Sequence, residues 1–209
     1  MKEEKSPVQT LPKIRKKLTE HFHPEWIAET EYIADIFKDL KEKIGKKGSI
    51  FQPGCGCGYV LDALWEVGYR DLTGLDRNEV GSGYGGFDDK KRTFLDWNPK
   101  IKFIHSDIKD AIDKIPDYKY DVVLTHRFLY SFPDGNDWLF EKIASKTKRF
   151  LITEEGEEKA LTPFWHHHKR NYKEVFEKYG FEQIFEEVNM FPFQNWEITT
   201  ITMRVFKRI

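Results

Sequence analysis

The chain of 209 residues is long enough to bury a substantial core, and its 34 basic and 35 acidic residues leave a formal net charge of −1. Without an excess of basic residues, no overall field draws it to nucleic acid or to an acidic membrane surface. No apolar run approaches the ~18 residues of a membrane span, and no apolar signal region follows the charged N-terminus. Its two cysteines, Cys55 and Cys57, lie one residue apart, which argues against a disulfide framework and favours a reducing compartment. These features predict a cytoplasmic globular protein, a monomer or homodimer, with no membrane partner.

The first predicted element is an amphipathic helix that begins near Pro24 and ends near Gly45. Residues 1–20 are charge-dense and predict a tail or a loosely attached helix, whereas residues 21–209 predict a single domain. We expect the amphipathic helix to cover a sheet. The alternative is that its start forms part of a lid over a ligand, with His21, His23, Trp26 and Tyr32.

A glycine-rich turn follows the first predicted strand. The apolar run Ile50–Phe51 stops at Pro53, and glycine then occupies every second position, at Gly54, Gly56 and Gly58. Directly after it, Tyr59–Val67 has the apolar spacing of a helix. A strand, a glycine turn and a helix start let the backbone approach a ligand closely and direct N–H groups at it.

A second predicted strand, Leu72–Leu75, ends in Asp76. An acidic residue in that place can hold the two ribose hydroxyls of a nucleotide-like cofactor. The segment after it contains Gly81, Gly83, Gly85 and Gly86, which interrupt any helix and predict a loop. That loop is either a mobile connection or a substrate lid.

The spacing of the glycines separates two classes of nucleotide site. A dinucleotide fingerprint needs a third glycine or alanine where this chain has Tyr59, counting from Gly54, or Leu61, counting from Gly56. The pattern Gly-x-Gly-x-Gly instead resembles motif I of the class I S-adenosylmethionine-dependent methyltransferases. Asp76, at the end of the next strand, strengthens this resemblance. The resemblance covers the chain from about Gly48 to the C-terminus.

The remaining predicted elements alternate as that resemblance requires. Asp107 follows the third strand, and His126 follows the fourth. The predicted strands and helices are, in chain order, Ile101–Ile104, a short helix at Ala111 and Ile112, Tyr120–Leu124, a helix from about Asp134 to Ser145, Phe150–Thr153, the helix Lys169–Tyr179, Phe181–Val188, a hairpin loop Asn189–Glu197 and Thr199–Lys207. The resemblance implies an α/β fold: a Rossmann-like, seven-stranded, mostly parallel sheet with helices on both faces and a C-terminal antiparallel hairpin.

The resemblance also implies S-adenosylmethionine as the cofactor. Asp76 matches the ribose-binding position and Asp107 the position that accepts from the adenine amino group, although Asp107 also suits a helix N-cap. Gln52 stands where the family usually has an acidic residue; its amide oxygen can accept a hydrogen bond but brings no charge. The predicted cofactor-binding residues are Gln52, Gly54, Cys55, Gly56, Gly58, Asp76, Arg77, Asp107, Ile108 and Thr125.

His126 is the leading candidate for a catalytic base, because ligands bind beyond the carboxyl ends of parallel strands and an imidazole can take a proton at neutral pH. His166 and His167 are the second candidates, and a purely structural His126 is the competing interpretation. Three consecutive histidines, at 166–168, cannot all converge, so no metal site is predicted. Predicted substrate-lining residues are Arg127, Tyr130 and Glu154.

Two sequence motifs that would indicate a particular class of methyl acceptor are absent. The Asn-Pro-Pro-Tyr type motif of amino-methylating DNA enzymes would fall at residues 125–128 and is absent, and no Pro-Cys nucleophile is present. We therefore predict a small-molecule acceptor, a metabolite or sugar methylated on oxygen or nitrogen, and no nucleic-acid partner. The alternatives are a protein or RNA methyltransferase, a non-catalytic nucleotide-binding or scaffold protein and, last, a dinucleotide-dependent oxidoreductase.

Overall fold

The centre of the molecule is a seven-stranded sheet with the order β3-β2-β1-β4-β5-β7-β6. β1 pairs in parallel with β2 and β4, and β3 and β5 extend the parallel set on either side. β7 pairs antiparallel with β5 and with β6, which forms a C-terminal hairpin. The computed structural model describes residues 24–45, 47–56, 58–77, 99–157, 168, 170–192 and 198–209. This sheet is the predicted one.

The elements are numbered here in chain order. The helices are α1 (Pro24–Ile44), α2 (Tyr59–Val67), α3 (Ile108–Ala111), α4 (Asp137–Lys146) and α5 (Tyr172–Glu177), with single 3₁₀ turns at Ile112–Lys114 and Leu129–Ser131. The strands are β1 (Ser49–Pro53), β2 (Asp71–Asp76), β3 (Lys102–His105), β4 (Tyr120–His126), β5 (Thr147–Glu155), β6 (Phe181–Pro192) and β7 (Ile198–Arg208).

Helices cover both faces of the sheet, and each face has its own apolar core. On one face α1 and α2 pack through Phe37, Leu61 and Leu64, all with no more than 1% of their surface exposed, against Ile50. On the other face α3, α4 and α5 pack against strand residues that include Phe51. Because side chains alternate along a strand, Ile50 and Phe51 serve opposite cores.

The helix predictions agree closely with the structure where the apolar spacing is regular. α1 and α2 occupy the predicted spans, and α2 begins and ends at left-handed glycines, Gly58 and Gly68. The last helix is shorter than predicted, since Asn171 caps its start by accepting from the Lys173 and Glu174 amides. α4 starts only at Asp137, after Asn136.

The strands are longer than predicted at polar residues. β4 continues through Thr125 and His126, which pair with Thr153 and Glu154 of β5, and β5 continues through Glu155, which pairs with Thr202 of β7. In the terminal hairpin, residues 189–192 belong to β6 and not to the loop that was predicted for them, and β7 begins at Ile198. No helix among the described residues is both long enough and apolar enough to cross a membrane.

Candidate functional site

The glycine turn is tied directly to the end of β2. The amides of Gly54 and Cys55 donate to the carbonyl oxygen of Leu75, at 2.8 and 3.1 Å. Gly54, Gly56 and Gly58 have φ of 66°, 55° and 84°, in the left-handed region that favours glycine. The sequence of alternating glycines therefore builds a turn that L residues would strain at three positions.

Two of these glycines differ in their surroundings. A Cβ built on Gly54 would lie 2.6 Å from Cγ of Phe128, in the loop after β4, so this glycine permits a close contact between two loops. A Cβ built on Gly56 would meet no atom within 4 Å among the described residues. The open side of the turn is therefore at Gly56, where a ligand can approach the backbone.

Asp76 lies beside that open side. Its Oδ2 accepts a hydrogen bond of 2.8 Å from the amide of Gly56, although the two residues are 20 positions apart. Arg77 follows, and its carbonyl oxygen is 3.0 Å from Nε2 of His105 at the end of β3. The structure thus brings the predicted ribose carboxylate into contact with the predicted glycine turn.

Gln52 is a buried polar residue at the same place. It is 1% exposed, and its Oε1 has no hydrogen-bond partner among the residues that the structure describes. A buried amide oxygen without a donor is costly, by ~1–3 kcal/mol. A ligand with an N–H donor would remove that cost.

Asp107 caps α3, since its Oδ1 accepts from the amide of Lys109 at 2.9 Å. The N-cap alternative is therefore confirmed, whereas contact with an adenine stays a prediction. The next residue, Ile108, is 6% exposed and packs in the same core as Phe51. Cys55 is also buried, which fits a small turn residue.

His126 ends β4 and is 6% exposed. Its Nε2 lies 3.0 Å from Oε2 of Glu154, the residue beside it on β5, and Glu154 is completely buried. Its ring meets the ring of Tyr59 edge to face, with the centroids 5.9 Å apart. Because Tyr59 is the first residue of α2, directly after the glycine turn, His126 lies at that turn as expected.

The loop after β4 is held by Glu155. This carboxylate is fully buried and accepts from the amides of Phe128 (3.0 Å), Leu129 (3.1 Å) and Tyr130 (3.4 Å). Burial raises the pKa of Glu155 to about 7, against the opposing effect of these amides. Arg127, with φ of 48°, starts the loop and donates its amide to the carbonyl oxygen of Glu154 at 2.9 Å.

Several of these roles were missed in the sequence. The run of acidic residues after the predicted fifth strand was visible in the sequence. The sequence did not show that Glu154 faces a histidine or that Glu155 holds a loop. Strand alternation gives the signal, because adjacent residues of β5 must point to opposite faces. For Phe128 no local signal exists, since its partner Gly54 is distant in the chain.

Some predicted residues lie outside the described part of the chain. These are His166 and His167, the glycine-rich segment at residues 81–86, Cys57, and residues 1–23 with His21 and His23. The proposed lid is described only at Tyr32, whose hydroxyl donates to Glu187 of β6 at 2.6 Å. Thr125 is fully buried on the face opposite to His126.

Comparison with known proteins gives a result only at the level of structure. No protein-family model and no curated protein matches the sequence. Among solved structures, the 1,6-didemethyltoxoflavin-N1-methyltransferase of Burkholderia thailandensis, with bound S-adenosylhomocysteine, aligns with a TM-score of 0.62 at 13% identity, over 100% of this chain and 94% of that one.

Two archaeal structures give similar values. A SAM-dependent methyltransferase from Archaeoglobus fulgidus aligns with a TM-score of 0.59 at 16% identity, over 86% of this chain and 94% of that one. A provisionally assigned RNA methyltransferase from Pyrococcus horikoshii aligns with a TM-score of 0.61 at 13% identity, over 88% and 84%. The chain has the class I methyltransferase fold.

Within the methyltransferase fold, the described site residues of this chain fall at one edge of the sheet. Gln52, Asp76 and His126 all lie at the carboxyl ends of parallel strands, where open α/β sheets bind ligands. β1 lies between β2 and β4, so the strand order changes direction there. The glycine turn thus occupies the topological switch point.

Proposed function

We propose that this protein binds S-adenosylmethionine at the glycine turn and transfers the methyl group to a small-molecule acceptor. The observation that carries the proposal is the 2.8 Å hydrogen bond between Asp76 and the amide of Gly56. It joins a carboxylate suited to ribose hydroxyls to a backbone turn with open space beside it. The methyltransferase fold supports the same assignment.

The residues of the site fit the parts of that cofactor. The unpartnered amide oxygen of Gln52 suits the ammonium group of the methionine portion. The glycine turn and the start of α2 present backbone N–H groups, and the helix dipole there favours the carboxylate. Asp76 would accept from the ribose hydroxyls, and Asp107 and Ile108 would border the adenine.

When bound, the cofactor supplies an electrophilic methyl group, so the protein's task is to orient a nucleophile and to exclude water. His126 is the proposed base for an acceptor hydroxyl or amine. Its burial beside Tyr59 keeps it in a region of low water content next to the turn. The nearly balanced charge of the chain favours a small acceptor over RNA or protein.

Calorimetric titration with S-adenosylmethionine, S-adenosylhomocysteine and NAD tests the assignment. We expect micromolar binding of the first two and no binding of NAD. Asp76→Asn keeps an oxygen for the Gly56 amide but loses the charge toward the ribose, which we expect to weaken binding about 10- to 100-fold, since a charged hydrogen bond contributes ~1.5–3 kcal/mol.

The matched control is Asp71→Asn at the opposite end of the same strand. Among the described residues, the Asp71 side chain makes an exposed ion pair with Lys102, at 2.9 Å, so the control is expected to leave cofactor affinity unchanged. Tighter binding of NAD than of S-adenosylmethionine, or equal affinities in Asp76→Asn and the parent, would show that the proposed site is wrong.

A further inference from the structure

Glu154 is buried more deeply than its partner His126 and faces it across two neighbouring strands. The side chain of Glu154 is 0% exposed and that of His126 is 5% exposed, with 3.0 Å between Oε2 and Nε2. The two residues are register partners in the parallel β4–β5 pair. A carboxylate in such a place is costly to bury without a partner. The strand register therefore holds the pair in a fixed geometry.

The His126–Glu154 pair lies on the same face of the sheet as α2, the helix that follows the glycine turn. Ile50 pairs with Val122, and both belong to the core under α1 and α2. Counting by twos along each strand places Gln52 and His126 on that same face. Among the described residues, Glu154 of β5 and Tyr59 of α2 contact the imidazole. Glu155, the next carboxylate on β5, faces the other core.

We propose that Glu154 is a positioning residue, which fixes the ring of His126 with Nε2 protonated and stabilises the imidazolium that forms during methyl transfer. This inference rests on the proposed function. The 3.0 Å between Nε2 and Oε2 is within reach of a hydrogen bond. A neutral imidazole carries one N–H, and when that N–H is on Nε2, Nδ1 is the basic nitrogen. A purely structural pair would tie β4 to β5 without facing the reacting atoms.

The proton and electrons balance in this arrangement. As the acceptor's oxygen or nitrogen forms its bond to the methyl carbon, the carbon–sulfur bond breaks and its electron pair stays with sulfur. The acceptor's proton moves to Nδ1 of His126, and the positive charge that leaves sulfur is taken up by the imidazolium. The anionic Glu154 compensates that charge inside a buried site, where water cannot. The proton later passes to solvent.

The first arm of the test is NMR of the imidazole nitrogens, which reports the tautomer and the titration midpoint of His126 without any acceptor. We expect the Nε2–H tautomer in the parent protein. Glu154→Gln keeps the shape and an acceptor oxygen but removes the charge, so the midpoint is expected to fall by about one pH unit or more. Glu182→Gln, an exposed carboxylate on β6, which lies three strands from β4 in the sheet, is the control and should leave the midpoint unchanged.

The second arm separates a positioning role from a structural one. S-adenosylmethionine carries a positive sulfonium, whereas S-adenosylhomocysteine carries a neutral thioether. If His126 faces the reacting atoms, its titration midpoint is lower with S-adenosylmethionine bound than with S-adenosylhomocysteine bound, because the sulfonium repels the imidazolium.

The outcomes distinguish the two hypotheses. An Nδ1–H tautomer in the parent, an unchanged midpoint in Glu154→Gln, or identical midpoints in the two complexes overturns the positioning role even when both ligands bind. Failure of either ligand to bind overturns the proposed function, while the tautomer and the Glu154→Gln titration still decide the charge coupling of the pair. If Glu154→Gln does not fold, the parent tautomer together with the His126 midpoints in the two complexes still decides the positioning role.

Discussion

At the scale of single residues, Gly54 and Gly56 show that the same backbone conformation serves two purposes. Both have left-handed φ, at 66° and 55°. The Phe128 ring lies against Gly54, whereas a Cβ on Gly56 would meet no described atom within 4 Å, and the Gly56 amide donates to Asp76. Gly54 therefore joins two loops, and Gly56 leaves room for a ligand.

Alanine substitutions should separate these purposes. Gly56→Ala is expected to cost ~1–2 kcal/mol of unfolding free energy from backbone strain alone, and to weaken cofactor binding because the new methyl enters the open space. Gly54→Ala is expected to cost a further ~1–3 kcal/mol, because its Cβ overlaps the Phe128 ring. Urea denaturation measures the unfolding free energy of both variants, and calorimetric titration measures the cofactor affinity of Gly56→Ala.

The double variant Gly54→Ala/Phe128→Ala provides the control, since it removes the overlap but keeps the strain at φ of 66°. Relative to Phe128→Ala alone, the double variant should lose as much unfolding free energy as Gly56→Ala loses relative to the parent. Equal stabilities of the two single variants would contradict the role assigned to Phe128.

Residue roles were predictable where a local pattern carried them. Asp76 followed from its distance to the glycine turn and from its place at a strand end. Strand alternation places Glu154 and Glu155 on opposite faces, but an acidic run gives no indication of which partner each carboxylate meets. The structure supplies those partners from β4 and from the loop that follows it.

At the scale of elements, the loop after β4 depends on one carboxylate. Glu155 accepts from three consecutive amides, of which the first belongs to Phe128, the residue that covers Gly54. Its pKa is raised from 4.5 to about 7 by burial. The folded protein therefore holds this proton at pH values where the unfolded chain has lost it.

The sign of the pH effect follows from that difference. Between about pH 4.5 and pH 7 the folded state binds more protons than the unfolded state, so the free energy of unfolding falls as pH rises through this window. The contribution of Glu155 is roughly 3 kcal/mol, because each pKa unit corresponds to 1.36 kcal/mol. Glu155→Gln should remove most of this decline in urea denaturation series from pH 5 to pH 8.

Glu182→Gln, at an exposed position of β6, is the control and should retain the parent's decline. A decline of the same size in Glu155→Gln and in the parent would show that another group titrates. The measurement needs neither cofactor nor acceptor.

Element boundaries were predictable where the chain itself determines them. α2 is bounded by glycines and has regular apolar spacing, so its span was predicted correctly. β4 was predicted to end at Leu124 because Thr125 and His126 are polar. Its last residues are strand because β5 pairs with them and buries them, which no local pattern records.

At the scale of the whole molecule, two apolar cores share one sheet. Leu61 lies in the core under α1 and α2, and Phe140 lies in the core under α3, α4 and α5. Both are almost completely buried, at 0% and 1% exposure. Because the same strands contribute to both cores, we expect the cores to unfold together as one domain.

Truncation on either face tests this. Leu61→Ala and Phe140→Ala are expected to cost ~2–5 and ~3–5 kcal/mol, respectively, and each should lower the midpoint of a single thermal transition. Circular dichroism and the exchange of amide hydrogens in α2 and α4 should give coincident stabilities. A variant that loses protection in only one of these helices would indicate two independently folding units.

The strand order β2-β1-β4 also bears on how the protein folds. The amide of Ser49, at the start of β1, donates to Asp121 in β4, 72 residues away in the chain. Pairings of such long range form slowly, because a large loop must close before they are made. The glycine turn at the end of β1 is complete only after β4 has docked and Phe128 has reached Gly54. We therefore expect the glycine turn to reach its final geometry late in folding, so that cofactor binding stabilises the folded protein by mass action.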